Sequence, residues 1–289
     1  MSDSGPVDRL SIRAPSLFVP AHSCDCHCHI IGLPEGYPFS PNRSYTPAPA
    51  LLAQYRQAQR AMGFERLVLV QPTIYGTDNR CLLDALDQVG TASGRGIVAV
   101  EDDVSVEELD RLHRLGVRGI RYNLVHGRHD FATHAASQLA AQIVERGWHV
   151  EMYVDGDLLP QLFGFLSELP APVVIDHMGQ IATSRGIQND AVHTLRRLLD
   201  GGNAWVKLSG YRASSAGYPF ADLFALASVL IGEVGERCVW GSDWPHANFA
   251  GRAPDAVQLL NLLSEWAPSD AVLRKILVDN PTALYGFAP

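Results

Sequence analysis

Three short segments of the chain carry side chains that can bind a metal, move a proton or polarise a carbonyl. The first is Asp25-Cys26-His27-Cys28-His29, with two imidazoles two residues apart. On a strand such residues share a face, so His27 and His29 suit one metal ion or one substrate oxygen. Strict alternation predicts Asp25, His27 and His29 on the inner face, with Cys24, Cys26 and Cys28 packed against helices as small hydrophobes. The second segment runs from Val174 to His177 and turns at Gly179. The third runs from Val239 through Asp243 to His246. Taken singly, a histidine capping a helix or an aspartate opening a turn explains either of these. Ending strands one, six and eight, which closure of a barrel brings together, the three segments form one candidate catalytic group: His27, His29, His177 and Asp243.

The elements that must position this group alternate regularly. Apolar runs of strand length occupy Cys24–Ile30, Arg66–Gln71, Gly96–Glu101, Val117–Tyr122, His149–Val154, Val173–His177, Ala204–Ser209 and Arg237–Asp243. Amphipathic stretches alternate with them, at Ala50–Met62, Asn79–Val89, Val106–Leu115, Ala135–Arg146, Asp157–Leu169, Asp190–Leu199, Ala221–Val234 and Asp255–Trp266. Eight strand-then-helix units predict an α/β fold, a single-domain (β/α)8 TIM barrel over residues 23–289, preceded by a surface arm at 1–22. A doubly wound sheet would more often carry a glycine-rich phosphate loop after its first strand, and the sequence has none. A further helix is expected at Ser269–Leu277, then a short closing helix with Asn280 as N-cap and Pro281 in its first turn.

In such a barrel the active site sits at the C-terminal ends of the strands. Arg121 and Asn123 end the fourth strand there, with Arg128 in the loop beyond. Tyr153 ends the fifth, Lys207 and Ser209 the seventh, and Arg212 follows. Tyr45 lies in the long proline-rich segment Gly32–Pro49, a candidate substrate wall. Arginine suits two-pronged binding of a carboxylate, so an anionic small molecule is the expected partner.

The chain of 289 residues carries a formal net charge of −8 without long runs of one sign, which argues against nucleic acid and anionic membranes as partners. Five cysteines with no CxxC pair do not form a disulfide framework, and a reduced cytoplasmic setting is expected. No signal-like or membrane-spanning run is present, and oligomeric state is left open.

The Asp-x-His-x-His opening, Val70-Gln71-Pro72 with Gly76–Asn79, Gly116–Asn123, Asp176–Gly179, Gly241–His246 and Leu277–Tyr285 together resemble the lactonase branch of the amidohydrolase superfamily. The resemblance covers about residues 19–287. It implies a hydrolase that opens a small carboxylated lactone, with Asp243 as general base on water and His27, His29 and His177 polarising the scissile carbonyl. It also implies that Tyr45, Arg121, Arg128, Tyr153 and Arg212 hold substrate carboxylates, with Asn123, Gln180 and His246 completing the binding set. Gln180 stands where pyrone-dicarboxylate lactonases carry an arginine, which points away from that dicarboxylate as the best substrate. Isomerisation of a sugar-acid lactone uses the same residues and is the alternative. A metal-dependent decarboxylase and a catalytically silent binding protein are the further readings.

Binuclear relatives carry a carboxylated lysine or a carboxylate on the fourth strand and a histidine on the fifth. Arg121 and Tyr153 occupy those strand ends here, so two metals are not expected. His27, His29, His177 and Asp243 could hold one divalent cation, Zn²⁺ first. The expectation is that no metal is obligatory.

Overall fold

The computed structural model describes residues 14–125, 133–249 and 254–289. Its strands are β1 (Cys24–Cys28), β2 (Arg66–Val70), β3 (Gly94–Val98), β4 (Val117–Asn123), β5 (His149–Tyr153), β6 (Val173–Ile175), β7 (Ala204–Lys207) and β8 (Cys238–Val239). They are parallel and lie in sequence order. Helices cover them: α1 (Leu52–Met62), α2 (Arg80–Val89), α3 (Val106–Arg114), α4 (Thr133–Val144), α5 (Leu159–Glu168), α6 (Asp190–Asp200), α7 (Phe224–Val234) and α8 (Ala256–Trp266). Apolar strand runs fit this arrangement because both faces of each strand are buried.

Backbone bonds between the first and last strand segments close the ring. Cys26 N donates to Trp240 O at 2.9 Å, Asp243 N to His27 O at 2.8 Å, and His29 N to Trp244 O at 2.8 Å. The fold is the single-domain (β/α)8 barrel that the alternation predicts. Local chemistry sets several helix starts. The side chains of Ser105, Asn189 and Asp255 accept backbone N–H groups in the first turns of α3, α6 and α8.

The lower end of the barrel is stoppered by the C-terminal segment. Leu284, Tyr285 and Phe287 pack with Cys24, Cys26, Val68, Val70, Ile97, Val174, Trp205 and Val239. Arg95 fixes this plug by donating to Tyr285 O at 2.9 Å and Gly286 O at 2.6 Å. No helix among the described residues is long and apolar enough to cross a membrane.

The structure corrects two details of the sequence reading. Asn280 is not an N-cap: its backbone is helical, and its Nδ2 donates to Gly235 O at 2.8 Å and Cys238 O at 2.6 Å. The chain instead runs as one helical rod from α9 (Asp270–Arg274) through a π turn (Lys275–Asp279) into α10 (Asn280–Tyr285). The wider π turn relieves the chain where Pro281 offers no N–H.

The second correction concerns β1. A bulge between Asp25 and Cys28 breaks strict alternation. Cys24 and Cys26 join the barrel interior, and only Cys28 packs outward with Tyr55, Leu67 and Leu69. Asp25 faces the helix layer, where it accepts from Tyr55 Oη at 3.0 Å, Ser242 N at 2.9 Å and Ser242 Oγ at 2.6 Å. The two histidines still face inward.

Candidate active site

At the upper end of the barrel the bulged strand delivers His27 and His29 side by side, Nε2 to Nε2 at 3.3 Å. Gly241 makes room for them, because a Cβ there would lie 2.5 Å from His27 Cβ. Asp243 arrives from beyond β8 with φ +57°, a left-handed turn that lifts its carboxylate over the ring. Its Oδ1 lies 3.3 Å from His29 Nε2 and 3.6 Å from His27 Nε2. Its Oδ2 accepts from Tyr211 Oη and Arg212 Nε, each at 2.5 Å. Burial alone would raise the Asp243 carboxyl, but Arg212 and the histidines hold it well below the usual range.

His177 ends β6 with φ +53°, and its Nδ1 lies 2.8 Å from Ser209 Oγ. Burial pushes its pKa down to about 4 and that of His246 to about 4, so both rings are neutral at pH 7. His27 is held well below its usual value, by burial first and the Lys207 charge second.

Below these groups lies a charged layer in which Glu151, Asp176 and Lys207 are fully buried and Arg121 reaches the cleft. Arg121 donates Nε and Nη2 to Asp176 Oδ2 at 3.0 and 2.9 Å and faces Glu151 Oε1 at 3.4 Å. Lys207 Nζ donates to Glu151 Oε2 and lies 3.1 Å from His27 Nδ1. Burial and the neighbouring Asp176 charge raise Glu151 to about 7. Burial would raise Asp176 as well, but Lys207, His27 and Arg121 hold it well below the usual range.

A cleft opens above the histidines, lined by His29, Tyr45, Arg121, Asn123, Tyr153, His177, Arg212 and Asp243 among others. Most of the expected site is therefore gathered in one place. Arg121 and Arg212 do double duty, since each lines the cleft while paired to a carboxylate. His246 and Gln180 stand behind the lining. His246 packs edge-on to Tyr211 with ring centres 5.3 Å apart, and Gln180 Nε2 donates to Tyr153 Oη. Arg128 lies outside the described residues. Glu151 and Tyr211 have no place in the sequence reading. The signal for Glu151 is the alternation His149, Glu151, Tyr153 in a strand buried on both faces, which puts polar groups inside the barrel.

Three of the four expected metal ligands fit a single ion. The donor atoms of His27, His29 and Asp243 are separated by 3.3, 3.3 and 3.6 Å. A tetrahedral site with bonds of about 2.1 Å has edges of about 3.4 Å. Among the described residues Asp243 Oδ1 accepts no close hydrogen bond, its nearest imidazole nitrogen lying at 3.3 Å. His177 groups instead with His27 and Asp176.

A closed parallel barrel that gathers histidines from β1 and β6 and an aspartate from beyond β8 at its strand ends has the layout of an enzyme site. The comparisons show its family. The amidohydrolase family model matches residues 24–287, and the chain belongs to that family. It is 36% identical to a 2-pyrone-4,6-dicarboxylate hydrolase of Comamonas testosteroni, over 94% of this chain and 92% of the relative. It is 30% identical to a D-galactarolactone isomerase of Agrobacterium fabrum, over 98% and 97%. A ligand-free crystal structure from Agrobacterium tumefaciens superposes with a TM-score of 0.85 at 27% identity, covering 96% of this chain and all of that one.

Proposed function

We propose that the chain hydrolyses a small carboxylated lactone. The observation that carries this reading is Asp243 Oδ1, which is buried and flanked by two imidazoles at 3.3 and 3.6 Å at the floor of an arginine-lined cleft. In this reading Oδ1 takes a proton from water as the water oxygen bonds to the lactone carbonyl carbon. Negative charge builds on the carbonyl oxygen, and histidine N–H groups stabilise it, with His177 lining the cleft. When the tetrahedral centre collapses, the ring C–O bond breaks and Asp243 returns the proton to the departing oxygen. The product is a ring-opened acid.

Arg212 keeps Asp243 ionised at neutral pH and so available as a base. It commits Nε to Asp243 and Nη2 to Ala247 O, while Nη1 carries two further N–H groups for a substrate carboxylate. Tyr45, Tyr153 and Asn123 supply neutral contacts from the cleft walls. If a single divalent ion is bound, His27, His29 and Asp243 would hold it, and it would supply Lewis-acid polarisation of the carbonyl. The metal-free form is the one proposed.

Isomerisation is the second reading, and Gln180 favours it: an amide engaged with Tyr153 offers no cation to a second carboxylate. A substrate hydroxyl would then replace water as nucleophile.

The test is proton NMR of metal-stripped protein with a panel of carboxylated lactones, pyrone dicarboxylate and aldarolactones included, beside Asp243→Asn. Conversion that needs Asp243 without added metal is expected. Ring opening in ¹⁸O-water places label in the product, whereas isomerisation leaves the product unlabelled. Full activity in Asp243→Asn, or no conversion of any lactone with or without Zn²⁺, overturns the reading.

A further inference from the structure

The contacts of the two paired histidines assign a proton to each ring. His29 Nδ1 lies 2.7 Å from Val70 O. A carbonyl only accepts, so this nitrogen carries the hydrogen, and in the single-proton form of the ring Nε2 is the acceptor. His27 Nδ1 has different neighbours: Lys207 Nζ at 3.1 Å, Asp176 Oδ1 at 3.3 Å and Glu151 Oε1 at 3.7 Å. A lysine ammonium has three N–H groups and no lone pair. Three acceptors surround Nζ: Glu151 Oε2, Asp176 Oδ1 at 3.5 Å, and His27 Nδ1.

We propose that Lys207 is a positioning residue that donates to His27 Nδ1 and holds the imidazole as its Nε2–H tautomer. The 3.3 Å contact between the two rings is then a hydrogen bond from His27 Nε2–H to His29 Nε2. That bond fixes the ring of His29, which lines the cleft, while His27 itself is fully buried behind it; its use in catalysis rests on the lactonase reading. A chelated ion needs a bare Nε2 on both rings. A metal-binding histidine usually turns its other N–H to a carboxylate or carbonyl. His29 meets that condition through Val70. For His27 an Nδ1–H would point to Asp176 Oδ1 at 3.3 Å, and the Lys207 ammonium, nearer at 3.1 Å, would then face a nitrogen with no lone pair to offer. Lys207 therefore sets the site towards hydrogen-bond catalysis although the spacing of the ligand atoms suits an ion.

The proton assignment is tested on metal-stripped protein labelled with ¹⁵N-histidine. Long-range ¹H–¹⁵N correlation spectra show which nitrogen of each ring is protonated, and loss of signals in His27→Gln identifies His27. The wild type is expected to show Nε2–H at His27. The double variant Lys207→Met/Glu151→Gln removes the amine together with its carboxylate partner, so neither is left buried alone. In it the His27 proton is expected on Nδ1, with Zn²⁺ affinity at least about tenfold higher by competition with a chromophoric chelator. Nδ1–H at His27 in the wild type overturns the proposal whether or not the variant folds. A folded variant with unchanged tautomer and zinc affinity also overturns it. Neither readout involves a lactone, so this failure is separable from failure of the hydrolase reading.

Discussion

Arg212 Nε and Asp243 Oδ2 form a 2.5 Å ion pair in the wall of the cleft, and Tyr211 donates to the same oxygen. One oxygen of the carboxylate is thereby engaged by protein donors, and the proposed function assigns the other to catalysis. Asp243→Asn should keep much of the structural part, because an amide oxygen still accepts from Arg212. Asp243→Ala should lose both, leaving a largely buried guanidinium alone at a cost of about 3–5 kcal/mol. Both should lower lactone turnover by a factor of about 10²–10⁴. Urea unfolding beside single-turnover kinetics separates the two effects, and equal stability loss in both variants would contradict the division.

Tyr211→Phe removes one charge-assisted hydrogen bond and nothing else from Asp243. A loss of about 1.5–3 kcal/mol corresponds to roughly a ten- to hundredfold fall in kcat. KM should barely move, since Tyr211 does not line the cleft. A change confined to KM would show that Tyr211 acts on the substrate instead.

Acid should weaken the fold before it protonates Asp243. The buried rings of His177 and His246 have pKa values near 4 when folded. In the unfolded chain histidine takes up its proton near pH 6.5. Between these values the unfolded state binds more protons, so stability is full above about pH 6.5 and falls as pH drops towards 4. Each ring contributes about 3 kcal/mol over that window. Urea midpoints at pH 7.5, 6 and 5 should fall steadily, and a flat profile would place these rings in contact with solvent.

Gly241→Ala tests the crowding at the barrel seam. The new Cβ would sit 2.5 Å from His27 Cβ and 2.9 Å from His27 N, and neither backbone nor imidazole can yield without moving the site. A destabilisation of about 1–3 kcal/mol is expected. Turnover should fall further than stability alone explains. Normal activity with a normal melting curve would refute this account.

The barrel was legible because eight apolar runs alternate with amphipathic helices, a periodicity that few other folds satisfy. The site was legible where a polar residue ends a strand, as with His27, His177 and Asp243. Two kinds of information were not in the pattern. The β1 bulge depends on how Asp25 is satisfied by Tyr55 and Ser242, contacts 30 and 217 residues away along the chain. The pairing of Lys207 with Glu151 is likewise tertiary, and Glu151 sits mid-strand where the sequence reads as buried core. Asn280 was misplaced because the Asn-Pro pair that opens many helices here lies inside a continuous one.

The bonds that close the ring, Asp243 N to His27 O and His29 N to Trp244 O, each involve one residue that lines the cleft, Asp243 or His29. On the proposed function, neither end of the chain holds a working fraction of the site by itself. A nascent chain with seven strands formed should then be catalytically blank. Turnover thus serves as a reporter of completed circularity: during refolding it should return only after the helical signal, when the two ends of the sheet have met.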